Sequence, residues 1–150
     1  MSDNKLEVLD KMDAKIETRV LGYASHANGD LFDLLSDVVY QDDTEAFKAM
    51  LESGTDINLQ NKYGWTLLHI AIRRDRREMV EYLIANGADI NRPDAVGWTP
   101  LMESIMDNMT ELCGYLVAQG ADKTVANQRG ATAPMLAQKF GRQSMYQYLM

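Results

Sequence analysis

The chain has 150 residues, 46% apolar and 25% charged, a balance that supports a folded domain and excludes wholesale disorder. Its formal charge of −7 sets the surface against nucleic acid and anionic lipid, both of which recruit proteins through Lys and Arg, and favours a basic or mixed protein partner. One cysteine, Cys113, cannot form an internal disulfide, and two histidines fall short of the usual Cys/His zinc set, so neither a metal nor a cofactor is expected.

From the amino terminus, charges recur every two or three residues through Val20, so no secretory signal is read there. No apolar run reaches the roughly 18 residues of a membrane span, and a cytoplasmic location is the resulting expectation. Leu6, Leu9, Met12, Ile16 and Val20 recur at three or four residues, which predicts one amphipathic helix from Asp3 to about Leu21. Residues 1–27 are read as this helix and a linker, and His26 lies in the linker-like run Ser25-His26-Ala27-Asn28-Gly29 at the boundary. The helix is expected to cover the open amino-terminal edge of the remaining chain; the rival reading makes it a docking element for a partner.

From residue 28 onward the chain repeats itself. Gly54, Gly87 and Gly120 are spaced by 33 residues, and Gly64, Gly97 and Gly130 form a second series with the same spacing. This divides the chain into units 28–60, 61–93, 94–126 and 127–150, the fourth ending inside its second helix. In each unit a first helix opens on a residue able to accept an orphan backbone N–H: Asp33 in the first, then Thr66, Thr99 and Thr132. Pro100 stands at a first helical position, where a missing N–H costs nothing. Asp42, Asp75, Asn108 and Gly141 occupy the reversal between paired helices. The second helices place Phe47, Met50 and Leu51, then Val80, Leu83 and Ile84, then Cys113, Leu116 and Val117, on one apolar face, and Gly54, Gly87 and Gly120 stop them. The first unit departs most, holding Asp30, Asp33, Asp37, Asp42, Asp43, Glu45, Glu52 and Asp56 against Lys48 alone.

Gly64-Trp65-Thr66-Leu67-Leu68-His69-Ile70-Ala71, its counterpart Gly97-Trp98-Thr99-Pro100-Leu101-Met102, and the closing Asn86-Gly87-Ala88-Asp89-Ile90-Asn91 resemble the ankyrin family's Thr-Pro-Leu-His and Gly-Ala-Asp signatures. The resemblance covers residues 28–150 and implies an all-α ankyrin-repeat solenoid of stacked helix-turn-helix units with hairpin-like loops: three full repeats and a truncated fourth behind an N-terminal capping helix. It also implies a non-catalytic, monomeric module that binds a protein through its hairpin tips and the inner face of its first helices. The matching positions are Tyr63, Trp65 and Trp98 at the tips, and Arg73, Arg74, Glu103, Met106 and Asp107 on the inner face. Large aromatics there suit binding anchors, or else pack along their own hairpins. Glu103 is either a recognition carboxylate or the partner of Arg73 or Arg74 one unit away.

The run Arg73-Arg74-Asp75-Arg76-Arg77 is divided by a turn and reads as solvated surface rather than a phosphate site. His69 fits the family's Thr-x-x-His turn, a local structural role, and Cys113 falls on a core face, where a thiol is inert. Short acidic proteins of this class resemble stoichiometric inhibitors, including immunity proteins against a basic toxin or enzyme; a scaffold without inhibitory activity uses the same surface. An enzyme on a repeat scaffold requires a deep pocket with convergent titratable groups. Self-assembly through Tyr146, Tyr148, Leu149 and Met150 is a further alternative.

Overall fold

A computed structural model describes residues 4–23 and 29–150, so His26 and most of its expected linker lie outside the described residues. The amino-terminal segment forms two helices, α1 (Lys5–Lys11) and α2 (Ala14–Gly22), where the apolar spacing predicted one. The break has a local cause. Met12 is extended, and the Asp13 side chain accepts hydrogen bonds from Lys15 N at 2.9 Å and Ile16 N at 3.4 Å, so a fresh N-cap interrupts the period. The interruption also re-aims the face: Val8, Leu9, Met12 and Val20 are buried, whereas Leu6 remains exposed.

Four helix pairs come next: α3 (Leu31–Tyr40) with α4 (Thr44–Glu52), α5 (Leu67–Arg73) with α6 (Arg77–Ala85), α7 (Pro100–Met106) with α8 (Thr110–Ala118), and α9 (Ala133–Lys139) with a short 3-10 turn (Gln143–Met145) leading into α10 (Tyr146–Leu149). The first members stack on one another in an inner row, α3 on α5 on α7 on α9, and the second members stand behind them. No strand occurs among the described residues. Helix α2 packs on α3 and α4, closing that end of the stack. Arg19 fixes it there, its guanidinium bonding Asp43 at 2.6 and 3.0 Å and Glu45 at 2.9 Å. Burial pushes the Asp43 carboxyl up, but Arg19, the Tyr23 hydroxyl and the Ala46 N–H outweigh it and hold Asp43 below the usual carboxylate range.

The reversals take the conformation that their residue types suggest. Asp42, Asp75 and Asn108 all adopt φ between 56° and 57°, and Gly141 has 66°. Thr66, Thr99 and Thr132 cap α5, α7 and α9. In the first unit the expectation of Asp33 is corrected: the N-cap is Asp30, which accepts from Asp33 N at 2.9 Å, while the Asp33 carboxylate accepts from Asp30 N at 3.1 Å in a reciprocal capping box. Phe47, Met50, Val80, Leu83, Cys113 and Leu116 are fully buried between the rows, with Leu51, Ile84 and Val117 partly so.

Contacts between units recur at repeat spacing. Asn58 Oδ1 accepts from Asp89 N at 2.8 Å, and Asn91 Oδ1 from Asp122 N at 2.7 Å, so the Asn of each Asp-Ile-Asn reaches into the next unit. Arg76 donates to the carbonyls of Val39 and Tyr40 at 2.9 and 2.7 Å, and Arg142 to those of Ile105 and Met106 at 2.9 Å each. The Val39 and Ile105 carbonyls already accept a turn N–H, from Asp42 and Asn108 at 3.1 Å each, so each arginine adds a second bond there and also serves the next carbonyl along. Met109 stands at the equivalent register of the third unit. Replacing Arg142 by Met should therefore leave an acceptable local conformation but cost about 1–2 kcal/mol for the lost charged hydrogen bonds, read by urea unfolding.

Candidate functional site

The tips of the three hairpins are built alike. Asn61 Oδ1 accepts from the backbone N–H groups of Tyr63 and Trp65, each at 3.0 Å. Asp94 Oδ1 accepts from Val96 and Trp98, each at 2.9 Å, and Asn127 Oδ1 from Arg129 at 2.9 Å and Ala131 at 3.1 Å. Neighbouring tips are joined by backbone bonds, Ala95 N to Tyr63 O at 3.0 Å and Gln128 N to Val96 O at 3.1 Å. These acceptors also recur every 33 residues, a signal present in the sequence beside the glycines. The tips thereby hold their side chains at fixed height above the inner helices.

His69 ties the tip of the second unit to that of the third. Its Nδ1 accepts from Thr66 N at 3.2 Å, which leaves Nε2 carrying the proton that it donates to Trp98 O at 2.8 Å. Burial holds its pKa below the ordinary value of 6.5. This is the structural role its position suggests, and it orients the Trp98 backbone rather than any substrate.

Between tips and inner helices runs a furrow with two hollows. The smaller, about 260 Å³, brings together Tyr63, Trp65, Arg73 and Arg74 with Asn61 and Ile70. Here Arg73 lies 4.5 Å from the Trp65 ring centre, Tyr63 stands 5.2 Å from it on centroids, and Arg74 stacks on Tyr40 at 4.8 Å. One face of Trp65 is thus occupied by its own chain. The larger hollow, about 610 Å³, lies between the third and fourth units and is lined by Trp98 and Met106 with Met135, Leu136 and Phe140. Val96, Met106 and Met135 are 56%, 44% and 53% exposed at its rim, so this is where apolar surface faces outward in concentration.

The remaining two candidates lie apart from these hollows. Glu103 is 5% exposed, and its carboxylate meets Arg73 at 3.2 Å, so it supports the arginine that covers Trp65. Burial raises its pKa to about 7, reinforced by its hydrogen bond with Asp107 and opposed by Arg73. Asp107 opens instead on a third hollow, about 650 Å³, at the helix turns beside Asp75, Arg77 and Glu111. Charged and polar side chains dominate its lining, with Met109 and Leu112 among them, and its Arg77 is paired with Glu111 at 3.4 Å. Sequence reasoning passes over Met135 and Arg129. Both sit in the fourth unit, Met135 at the register of His69 and Met102 and Arg129 at that of Tyr63 and Val96, and only the stacking shows that they edge the larger hollow.

Metal-ligating side chains form no cluster among the described residues. No group of three or more His, Cys, Asp or Glu among them is placed to hold a metal ion, and burial pushes the Cys113 thiol up to about 11. No helix among the described residues is long and apolar enough to cross a membrane.

The sequence matches the family model for ankyrin repeats, in three copies, over residues 35–127. Comparison with curated proteins gives no match. Ankyrin repeats are modules of protein–protein interaction, generally without catalysis. With this match over more than half its length, and with paired helices, capped hairpins and inter-unit bonds at a common spacing, the chain belongs to the ankyrin-repeat family.

Proposed function

We propose that the chain grips a protein partner along the furrow and, by occupying that partner's working surface, acts as its stoichiometric inhibitor. The supporting observation is the larger hollow, where Trp98, Met106 and Phe140 line a cleft rimmed by exposed Val96 and Met135. Buried in an interface, such side chains supply most of the binding energy, and a footprint of about 800 Å² per partner spans the furrow. Tyr63, Trp65, Arg73 and Arg74 extend the contact towards the first unit, with Glu103 holding Arg73 and Asp107 bonded in turn to Glu103. The net charge of −7 steers a basic body towards the chain from a distance. A monomer in the cytoplasm, where the buried thiol of Cys113 stays reduced, completes the reading.

The test begins with a partner co-purified from the native source. Trp98→Ala should weaken its binding by about 2 kcal/mol, a fall in affinity of about thirtyfold, with the helical signal unchanged. Equal affinity in that folded variant would remove the furrow from the interface. An activity assay on the saturated partner then separates roles: loss of activity supports inhibition, and full activity makes the chain an adaptor.

A further inference from the structure

The charge of the larger hollow is opposite in sign to that of the chain. The fourth unit, residues 127–150, carries Arg129, Lys139 and Arg142 and not one Asp or Glu, within a protein of formal charge −7. Arg142 is committed to the carbonyls of Ile105 and Met106. Arg129 and Lys139 line the hollow, are exposed, and form no ion pair with a described residue; Lys139 lies 5.7 Å from the ring centre of Phe140. No acid lines the hollow. Of those in the third unit, Asp94 is held by its own hairpin, Glu103 is buried against Arg73, Asp107 and Glu111 line the hollow at the turns, and Asp122 accepts from Thr124 in the loop after α8.

We infer that the larger hollow receives a partner segment in which a large apolar side chain is flanked within about four residues by Asp or Glu. The apolar side chain would seat against Trp98, Met106 and Phe140, and the carboxylate would meet Arg129 or Lys139. A cavity of about 610 Å³ accommodates a few side chains of a chain segment. A basic segment would place its cations beside two cations that form no ion pair with a described residue, with no anion among the described lining residues to receive them, a like-charge juxtaposition that disfavours it. Overall steering and local recognition differ here: the field at a distance reads net charge, and the hollow reads the side chains inserted into it. This inference rests on the proposed furrow and adds the chemistry of what enters it.

The full chain, immobilised, is used to select from a random twelve-residue peptide display library, in parallel with a variant carrying Arg129→Glu and Lys139→Glu. The parent should enrich peptides bearing Leu, Met, Phe or Trp beside Asp or Glu. These should lose at least tenfold affinity on the double variant, which should enrich Lys- or Arg-flanked peptides instead, and both sets should lose affinity on Trp98→Ala. Circular dichroism confirms folding, since neither cation is engaged in an ion pair with a described residue. Basic peptides enriched on the parent, peptides indifferent to the charge reversal, or no enrichment at all would overturn the inference. So would a concentration-dependent dimer abolished by Lys139→Glu, which would assign the hollow to a second copy. Failure of the two readings is distinguishable: a co-purified partner insensitive to the charge reversal but lost on Trp98→Ala leaves the furrow standing and removes only the acidic segment.

Discussion

Gly64→Ala should destabilise the protein by about 3 kcal/mol, while Gly130→Ala, at a residue with the same φ of 78°, should cost only about 1 kcal/mol. The difference lies outside the residue. A Cβ on Gly64 would stand 2.5 Å from Ala95 N and 3.0 Å from the Asp94 carbonyl carbon, both backbone atoms of the next tip, whereas nothing lies within 4 Å of one on Gly130. The added atom must push apart the two tips whose link is the bond from Ala95 N to Tyr63 O. In a stack whose stability comes from neighbouring interfaces, that separation weakens coupling between the second and third units, so the urea transition should also broaden. Equal losses for the two variants would show that backbone conformation alone fixes the cost.

Glu103→Gln should stabilise the protein on the order of 2 kcal/mol at pH 9 and leave it unchanged at pH 4. The carboxyl is 5% exposed, and burial raises its folded-state pKa from 4.5 to about 7. Below 4.5 both folded and unfolded chains hold the proton, and Gln imitates that neutral form. Between 4.5 and about 7 the unfolded chain releases the proton while the folded chain retains it, so stability falls as pH rises through this window. Above about 7 both folded and unfolded chains are ionised, so the cost is constant, and it exists because Arg73 incompletely compensates a buried carboxylate beside Asp107. His69 acts with opposite sign: its pKa is lowered, so stability is lost as pH falls below 6.5 through its folded value. Parent and variant must therefore be compared at matched pH. A variant less stable than the parent at pH 9 would mean that the charged pair with Arg73 stabilises on balance.

The fold was legible because each unit spells its own local rules. Gly64 and Gly97 mark close backbone approach, Thr66 and Thr99 mark caps, and Asp42, Asp75 and Asn108 mark left-handed turns, all at one spacing. Where a rule is satisfied by either of two neighbours, spacing alone does not choose. Asp30 and Asp33 each bond the other's backbone, and their order decides which is the cap. Met12 continues an apolar period that Asp13 ends. The candidate site was legible in composition but not in posture. Trp65 and Trp98 are equivalent by position, yet Arg73 is long enough to lie over the first, and the third unit places Met106 at that register, which leaves the second facing a cleft. Glu103 could have faced either way along the furrow, and burial against Arg73 decides it.

Met106 belongs to two structures at once. Its side chain forms part of the rim against which an occupant would rest, and its carbonyl receives Arg142, a bond that secures the fourth helix pair. Whatever settles against that rim leans on the same bond, so occupancy and resistance to local opening of α9 and α10 rise together.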